Sequence, residues 1–274
     1  MSDMWDGVAG AWERNADAVD AQLAPATSVM LDAAGIGVGS AVLDIACGAG
    51  SAGIVAAGRA GAEGRVALAD DAPLMVEAAA RRSAGLPQVT TLVCDLEQID
   101  APDASFDGVI CRHGLMFADD KAAAVAEARR VLRPGGRYAA MTWDGRAANP
   151  WLGLIMDAVG EQFGVPFPPP GIPGPFALDD PELLAQALRA GGLQDVVVTR
   201  VATPMRTTSI DTWWDLVPQL AGPLAIALEG MDPGVRDAIR DRALAKGAAA
   251  ARPTAEGIEM DGSVLVAAGH RARD

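Results

Sequence analysis

Short apolar runs alternate with helix-like segments through the first half of the chain. Each run is bounded by glycine or polar residues, which is typical of buried parallel strands. Five runs fit this description, at 41–46, 64–70, 88–95, 105–114 and 137–143. The segments between them have helical patterning at 51–60, 72–85 and 119–132. Strands alternating with helices predict a doubly wound α/β sheet with right-handed crossovers.

The second half changes character after Gly145. The segment 165–176 is so rich in proline that it predicts an extended connection. The elements expected beyond it are a helix at 179–192, a strand at 195–205, helices at 210–230 and 232–247, and a last strand at 258–268. The whole pattern predicts a Rossmann-like, mostly parallel seven-stranded sheet. Its expected parts are N-terminal lid helices (1–40), a ligand-binding domain (41–208 with 251–274) and a helical cap insertion (209–250).

Composition narrows the class of protein. The 274 residues are half apolar, enough for one large core with a cap. The formal charge of −14 argues against nucleic acid, which needs a clustered basic face. No run approaches the ~20 apolar residues of a membrane span, and the start lacks a basic signal-peptide region. Three cysteines without CxxC spacing predict reduced thiols, no metal site and a cytoplasmic protein.

The first strand ends in the glycine-containing turn of "VLDIACGAG" (42–50). The overlapping "GAGSAG" fits the GxGxxG dinucleotide pattern, with Asp70 placed to hold a ribose, so a nicotinamide oxidoreductase is one hypothesis. Three features favour another ligand. Asp44 lies inside the strand, where it would repel a pyrophosphate but suit a cation. Asp95 ends the third strand as a further acceptor, and the only tyrosine, Tyr138, is not part of a Tyr-x-x-x-Lys pair.

Four motifs carry a resemblance to a known family. These are "VLDIACGAG", the acid of "VALADDAP", "CDLEQIDAPDASFDGVICRHGLMF" and "RRVLRPGGRYAAMTW", which together span about residues 41–144. The chain resembles class I S-adenosylmethionine-dependent methyltransferases, in the small-molecule branch similar to ubiquinone and menaquinone biosynthesis enzymes. The segments "MWDGVAGAWERNADAV" and "NPW" (149–151) also resemble that branch.

The resemblance implies S-adenosylmethionine as the cofactor and a set of residues around it. Its methionine moiety is expected at Asp44 and the following turn, its ribose at Asp70, and its adenine at Asp95. The cofactor-binding residues expected in this way are Trp12, Asp44, Ala46, Cys47, Gly48, Gly50, Asp70, Asp71, Met75, Asp95, Leu96 and Cys111. Ala46 departs from the family, which usually has glycine there, and its methyl group is tolerable if this residue keeps a negative φ. The alternative for Asp95 is a local Asx turn.

The expected reaction is O- or C-methylation of a small apolar or aromatic metabolite. The catalytic candidates are His113, as a general base, and Arg112, as the holder of an anionic group. Alternation along a strand predicts that only one of the two reaches the pocket. Tryptophan-rich 209–229 and the N-terminal helix are expected to enclose that apolar pocket. A cofactor-retaining cyclase or decarboxylase, a cofactor-binding protein and a homodimer remain open.

Overall fold

The central sheet of the protein has seven strands. The structure is a computed structural model that describes residues 2–273. The strands of this sheet are β1 Ala41–Ile45, β2 Arg65–Asp70, β3 Val89–Val93, β4 Phe106–Arg112, β5 Leu132–Trp143, β6 Gln194–Ala202 and β10 Ser263–His270. Their order is β3-β2-β1-β4-β5-β10-β6, and only β10 is antiparallel to its neighbours. The predicted doubly wound, mostly parallel seven-stranded sheet is confirmed.

Helices cover both faces of the sheet. In chain order they are α1 Ser2–Asp6, α2 Ala9–Arg14, α3 Ala16–Ala33, α4 Ser51–Ala60, α5 Pro73–Arg82, α6 Lys121–Val131, α7 Pro150–Phe163, α8 Pro181–Ala190, α9 Ile210–Leu220, α10 Gly222–Glu229 and α11 Pro233–Ala250. One buried cluster joins the sheet to α6 and α8, and another joins the opposite face to α3 and α4. Asp120 and Asp180 cap α6 and α8 by accepting backbone N–H bonds.

The second half differs from the prediction in several elements. Helix α7, which was not predicted, occupies Pro150–Phe163. The helix expected at 210–230 is two helices, separated at Ala221. The strand expected at 258–268 is also divided, because β9 Gly257–Met260 joins β7 Met205–Thr207 and β8 Arg252–Thr254 in a small second sheet.

Helix α7 and the helices α9 to α11 share a core of their own. The Trp213 side chain is fully buried there, and its Nε1 donates to the Trp151 carbonyl oxygen at 2.7 Å. Leu224 and Ile239 pack into the same cluster. These helices lie between β5 and β10 in sequence. They form a separate helical layer with its own core and add no strand to the sheet. Within residues 2–273 no helix has the length and apolar character needed to cross a membrane.

Candidate active site

A large cavity lies beyond the carboxyl ends of the parallel strands, where open α/β sheets bind ligands. Its empty volume is about 1350 Å³, counted to its open mouth. The turn after β1 and the end of β2 form one end of the cavity. Residues of helices α1, α2, α7, α9 and α10 contribute to the rest of the wall. The lining is apolar except for a few side chains, which are Gln22, Ser51, Asp70, Asp71, Arg112 and His113.

The turn after β1, residues 46–51, is here named the cofactor turn. Gly48 has a φ of +54°, and a Cβ built on it would meet open space. Ala46 has a φ of +56°, so the condition of a negative φ at this position is not met. The left-handed conformation that glycine usually supplies is retained despite the methyl group. The methyl group fits because Gly114 faces it: a Cβ on Gly114 would lie 2.3 Å from that of Ala46.

Asp44 lies in β1, just before the cofactor turn, where it is completely buried and is not among the residues that line the cavity. Neither carboxylate oxygen has a hydrogen-bond partner among the described residues. Burial raises the pKa of Asp44 to about 7, although the Arg112 guanidinium opposes the shift. A buried carboxylate without partners is costly, and such groups gather at functional sites. Asp44 therefore suits a cationic ligand held by the turn above it.

Asp70 connects the end of β2 to the cofactor turn. Its Oδ2 accepts a hydrogen bond from the Gly48 N–H at 2.8 Å, and its Oδ1 accepts one from the Ala72 N–H at 3.0 Å. Burial raises the pKa of Asp70 to about 6, against the effect of these two bonds. Each carboxylate oxygen has a second lone pair, so both can accept further hydrogen bonds from a ligand. Asp71 and Met75 line the cavity beside it.

The other residues predicted to bind cofactor fall into two groups. Trp12, Cys47 and Leu96 line the cavity, whereas Gly50, Asp95 and Cys111 lie outside its lining. Gly50 packs against α5. Asp95 is exposed, and its Oδ1 accepts the Glu97 N–H at 2.7 Å, which is the Asx turn weighed as the alternative. Cys111 belongs to the core, where burial raises the pKa of its thiol to about 12.

Both catalytic candidates reach the cavity, so the expectation that only one would do so is wrong. Strand alternation ends at Arg112, because His113 has a φ of +61° and its backbone is no longer extended. Arg112 forms an ion pair with Asp20 at 3.2 Å and donates to Thr27 Oγ1 at 3.3 Å. The left-handed backbone of His113, a non-glycine residue, stores strain, and such strain is characteristic of functional sites.

The His113 ring is stacked on the Trp143 indole, with centroids 4.0 Å apart and planes inclined by 15°. Both imidazole nitrogens are buried, and neither has a hydrogen-bond partner among the described residues. Burial and the neighbouring Arg112 cation hold the pKa of His113 well below its usual value, so the ring is neutral at physiological pH. A neutral imidazole offers one donor and one acceptor to a ligand.

Aromatic side chains form much of the wall of the cavity, and sequence reasoning did not place Phe117, Trp143 and Trp151 among them. Trp143 meets Trp151 edge to face, with centroids 4.9 Å apart, and Trp5 meets Phe117 likewise at 5.0 Å. Trp12 Nε1 donates to a carbonyl oxygen of α9 at 3.0 Å, which ties the N-terminal helices to the cap. The signal available in the sequence was the six tryptophans, of which four line the cavity.

Comparison with known sequences agrees with this geometry. Residues 42–136 match the family described as "Methyltransferase domain". The chain is 41% identical over 105 residues to the ubiquinone/menaquinone biosynthesis C-methyltransferase UbiE of Cupriavidus taiwanensis, a match that covers 38% of this chain and 43% of that protein. It is 42% identical over 110 residues to an uncharacterized 37.1 kDa protein in transposon TN4556 of Streptomyces fradiae, covering 40% and 32% of the two chains. The chain thus spans less than half the length of either relative.

Solved structures show the same fold. The YcgJ protein of Bacillus subtilis superposes with a TM-score of 0.58 at 17% identity, over 90% of this chain and 98% of that chain. These findings confirm the predicted resemblance. The match to a methyltransferase domain covers residues 42–136, and it supports the resemblance of this part of the chain to class I S-adenosylmethionine-dependent methyltransferases.

Proposed function

We propose that this protein transfers a methyl group from S-adenosylmethionine to a small apolar or aromatic molecule. The observation that carries the proposal is the continuity of the cavity. It runs from the cofactor turn and Asp70 at one end to a chamber walled by Trp143, Trp151 and Leu224 at the other. A cofactor and a substrate can therefore lie in contact inside it, as in-line methyl transfer requires.

The cofactor end fits S-adenosylmethionine in charge and shape. The ligand is cationic at its sulfonium and ammonium groups, which the unpartnered carboxylate of Asp44 would stabilise. Gly48, which presents no side chain, lets a ligand approach the backbone of the turn. In this proposal Asp70 would accept hydrogen bonds from the ribose hydroxyls, and Asp71 and Met75 would flank the adenosine.

The substrate end favours an uncharged molecule. Arg112 is paired with Asp20, a carboxylate that it shares with Arg82, and His113 is neutral. Apolar walls with one neutral polar group suit a phenol, an enol or a similar hydroxyl compound. Both nitrogens of His113 are buried in the ligand-free protein, so the ring must turn towards the cavity before such a hydroxyl can donate to the unprotonated nitrogen. That nitrogen would take the hydroxyl proton while the oxygen or the conjugated carbon bonds to the methyl group. The bond from the methyl group to the sulfonium sulfur would break, and S-adenosylhomocysteine would leave as a neutral thioether. O- and C-methylation both fit this arrangement.

A non-methylating use of the same cavity is the second candidate. The [4+2]-cyclase SpnF shares the fold, with a TM-score of 0.56 at 22% identity over 90% of this chain and 81% of that chain. Enclosure by apolar walls would serve a cyclisation equally well, without a proton acceptor. Incubation with methyl-labelled cofactor and a panel of phenols and enolisable compounds separates the two functions. Label in the product supports methyl transfer, whereas a changed product without label supports cyclisation.

The cofactor assignment is tested by calorimetric titration. The wild-type protein should bind S-adenosylmethionine and S-adenosylhomocysteine but not NADH. Asp70→Ala should weaken both affinities by about 10- to 100-fold, because charge-assisted hydrogen bonds worth about 1.5–3 kcal/mol are lost. Asp237→Ala, an exposed carboxylate on α11, is the matched control and should bind as the wild type does. Binding of NADH, or an unchanged affinity in Asp70→Ala, would contradict the assignment.

A further inference from the structure

Two consecutive arginines at the end of α5 hold the N-terminal helices in place. Arg81 points outward and forms a bidentate ion pair with Glu13 of α2, at 3.0 and 2.8 Å. Arg82 points inward and forms an ion pair with Asp20 of α3 at 3.1 Å. The outer pair is solvent-exposed on its arginine side, whereas the Arg82 side chain is 19% exposed. The inner pair is therefore less screened by water.

Arg82 also holds the cofactor turn itself. One of its amino groups donates to the Ala49 carbonyl oxygen at 2.6 Å and to Ser51 Oγ at 2.9 Å. Ala49 and Ser51 line the cavity. The guanidinium therefore links the turn that would hold the methionine moiety to a carboxylate on the N-terminal helices.

Asp20 joins this arginine to a second one. Its Oδ2 accepts from Arg82, and its Oδ1 accepts from Arg112 at 3.2 Å. The Arg112 side chain is only 9% exposed and lies close enough to Asp44 to lower that group's pKa. One carboxylate is thus shared by two guanidinium groups and reduces the repulsion between them. Its removal would leave both cations without this shared counterion.

We propose that Asp20 is a positioning residue that couples the N-terminal helices to the cofactor turn. With Asp20 in place, Arg82 and Arg112 are held together and the turn keeps its ligand-binding shape. Ordering of the start of α3, which carries Asp20, and binding of the cofactor then favour each other, as reciprocal linkage requires. The inference rests on the proposed cofactor, but its structural half concerns the protein without ligand.

Hydrogen exchange and calorimetry test the proposal on the full chain. Asp20→Asn keeps the shape of the side chain and removes its charge, and Asp20→Glu restores the charge. Glu13→Gln is the matched control, since it removes the same charge from the same N-terminal helices without touching the turn. Without ligand, exchange in peptides covering 46–53 should rise about tenfold in Asp20→Asn and return towards wild type in Asp20→Glu. Exchange in β5 and β10 should stay unchanged, which reports an intact sheet.

The affinity for S-adenosylhomocysteine should fall about tenfold in Asp20→Asn and less than twofold in Glu13→Gln. Equal effects of the two charge removals, or an unchanged turn and affinity in Asp20→Asn, would overturn the proposal. If Asp20→Asn loses exchange protection throughout the chain, the comparison of Asp20→Glu with Glu13→Gln decides the role of Asp20 instead. Failure of the wild-type protein to bind the ligand would contradict the proposed function, while the exchange of the free turn would still decide the role of Asp20.

Discussion

Asp44 has an unfavourable environment in the free protein, because its carboxylate is fully buried and has no hydrogen-bond partner among the described residues. Its pKa rises to about 7 in the folded state. The folded protein then binds more protons than the unfolded chain between pH 4 and pH 7, so the contribution to stability is present at low pH and is lost as pH rises through 7. Asp44→Asn removes this penalty. The free energy of unfolding of the variant should gain on the wild type by roughly 1.4 kcal/mol per pH unit between pH 5 and pH 6.5.

The gap should stop growing above about pH 8, where Asp44 is ionised in both states. Denaturant unfolding at a series of pH values measures it, with Asp237→Asn as an exposed control that should show no such trend. A pH-independent difference between Asp44→Asn and the wild type would mean that the carboxylate is solvated in the free protein. The same variant should bind S-adenosylmethionine more weakly, since its stability is gained by removing a charge that the ligand uses.

His113 is the proposed proton acceptor. His113→Gln keeps a donor and an acceptor but cannot take up a proton. The rate constant for methyl transfer at saturating cofactor should fall about 10²- to 10⁴-fold, with cofactor affinity nearly unchanged. Single-turnover kinetics with a labelled methyl group measure the effect. A variant that works at close to the wild-type rate would show that alignment of the reactants suffices.

Some site residues are predictable from sequence because their chemistry follows from spacing along strands. Asp44, Gly48 and Asp70 belong to this group, since the ends of adjacent parallel strands meet at one edge. The conformation of Ala46 is not predictable in this way, because the space for its methyl group is provided by Gly114, more than sixty residues along the chain. The orientation of His113 likewise depends on where the strand geometry stops, which local pattern does not define.

At the scale of elements, the sheet was predictable and part of the helical layer was not. Buried strands leave short apolar runs that can be recognised one by one. Helix α7 also has its signals, with proline at its first position and Gly164 at a φ of +70° after its last. The preceding change of composition and the proline-rich run after it concealed them. The division of the last predicted strand depends on pairing with β7, a contact between distant segments.

Helices α1 and α2 are expected to close the active site rather than to stabilise the fold. Their contribution to the core is a small cluster, in which Val8 and Ala9, with Trp5 and Trp12 partly buried, pack on Ala72 and Met75 of the α5 region. Deleting residues 1–15 removes Trp5 and Trp12 from the cavity wall and opens it to water. Turnover should therefore be abolished, while the circular dichroism of the sheet and its flanking helices is retained.

A matched control keeps the backbone of the segment. Trp5→Ala with Trp12→Ala removes both indoles but leaves α1 and α2 in place, and it should also reduce turnover severely. Full activity of the truncated protein would exclude a role for these helices in closing the site. Loss of the far-ultraviolet signal on truncation would show instead that they are needed for folding.

At the scale of the whole molecule, the protein is acidic, and two of its carboxyl groups with raised pKa values, Asp44 and Asp70, lie at the proposed cofactor site. The net charge is −14, and burial raises the pKa of Asp44 to about 7 and that of Asp70 to about 6. A cationic ligand near the turn favours the ionised forms, so its binding should release protons.

At pH 6.5 the release should approach one proton per ligand, whereas at pH 8.5 it should be close to zero because Asp44 is already ionised. Titration calorimetry in buffers of different ionisation enthalpy measures the number released. Asp44→Asn should abolish most of it, and proton uptake or a pH-independent value in the wild type would contradict the placement of a cationic ligand above Asp44.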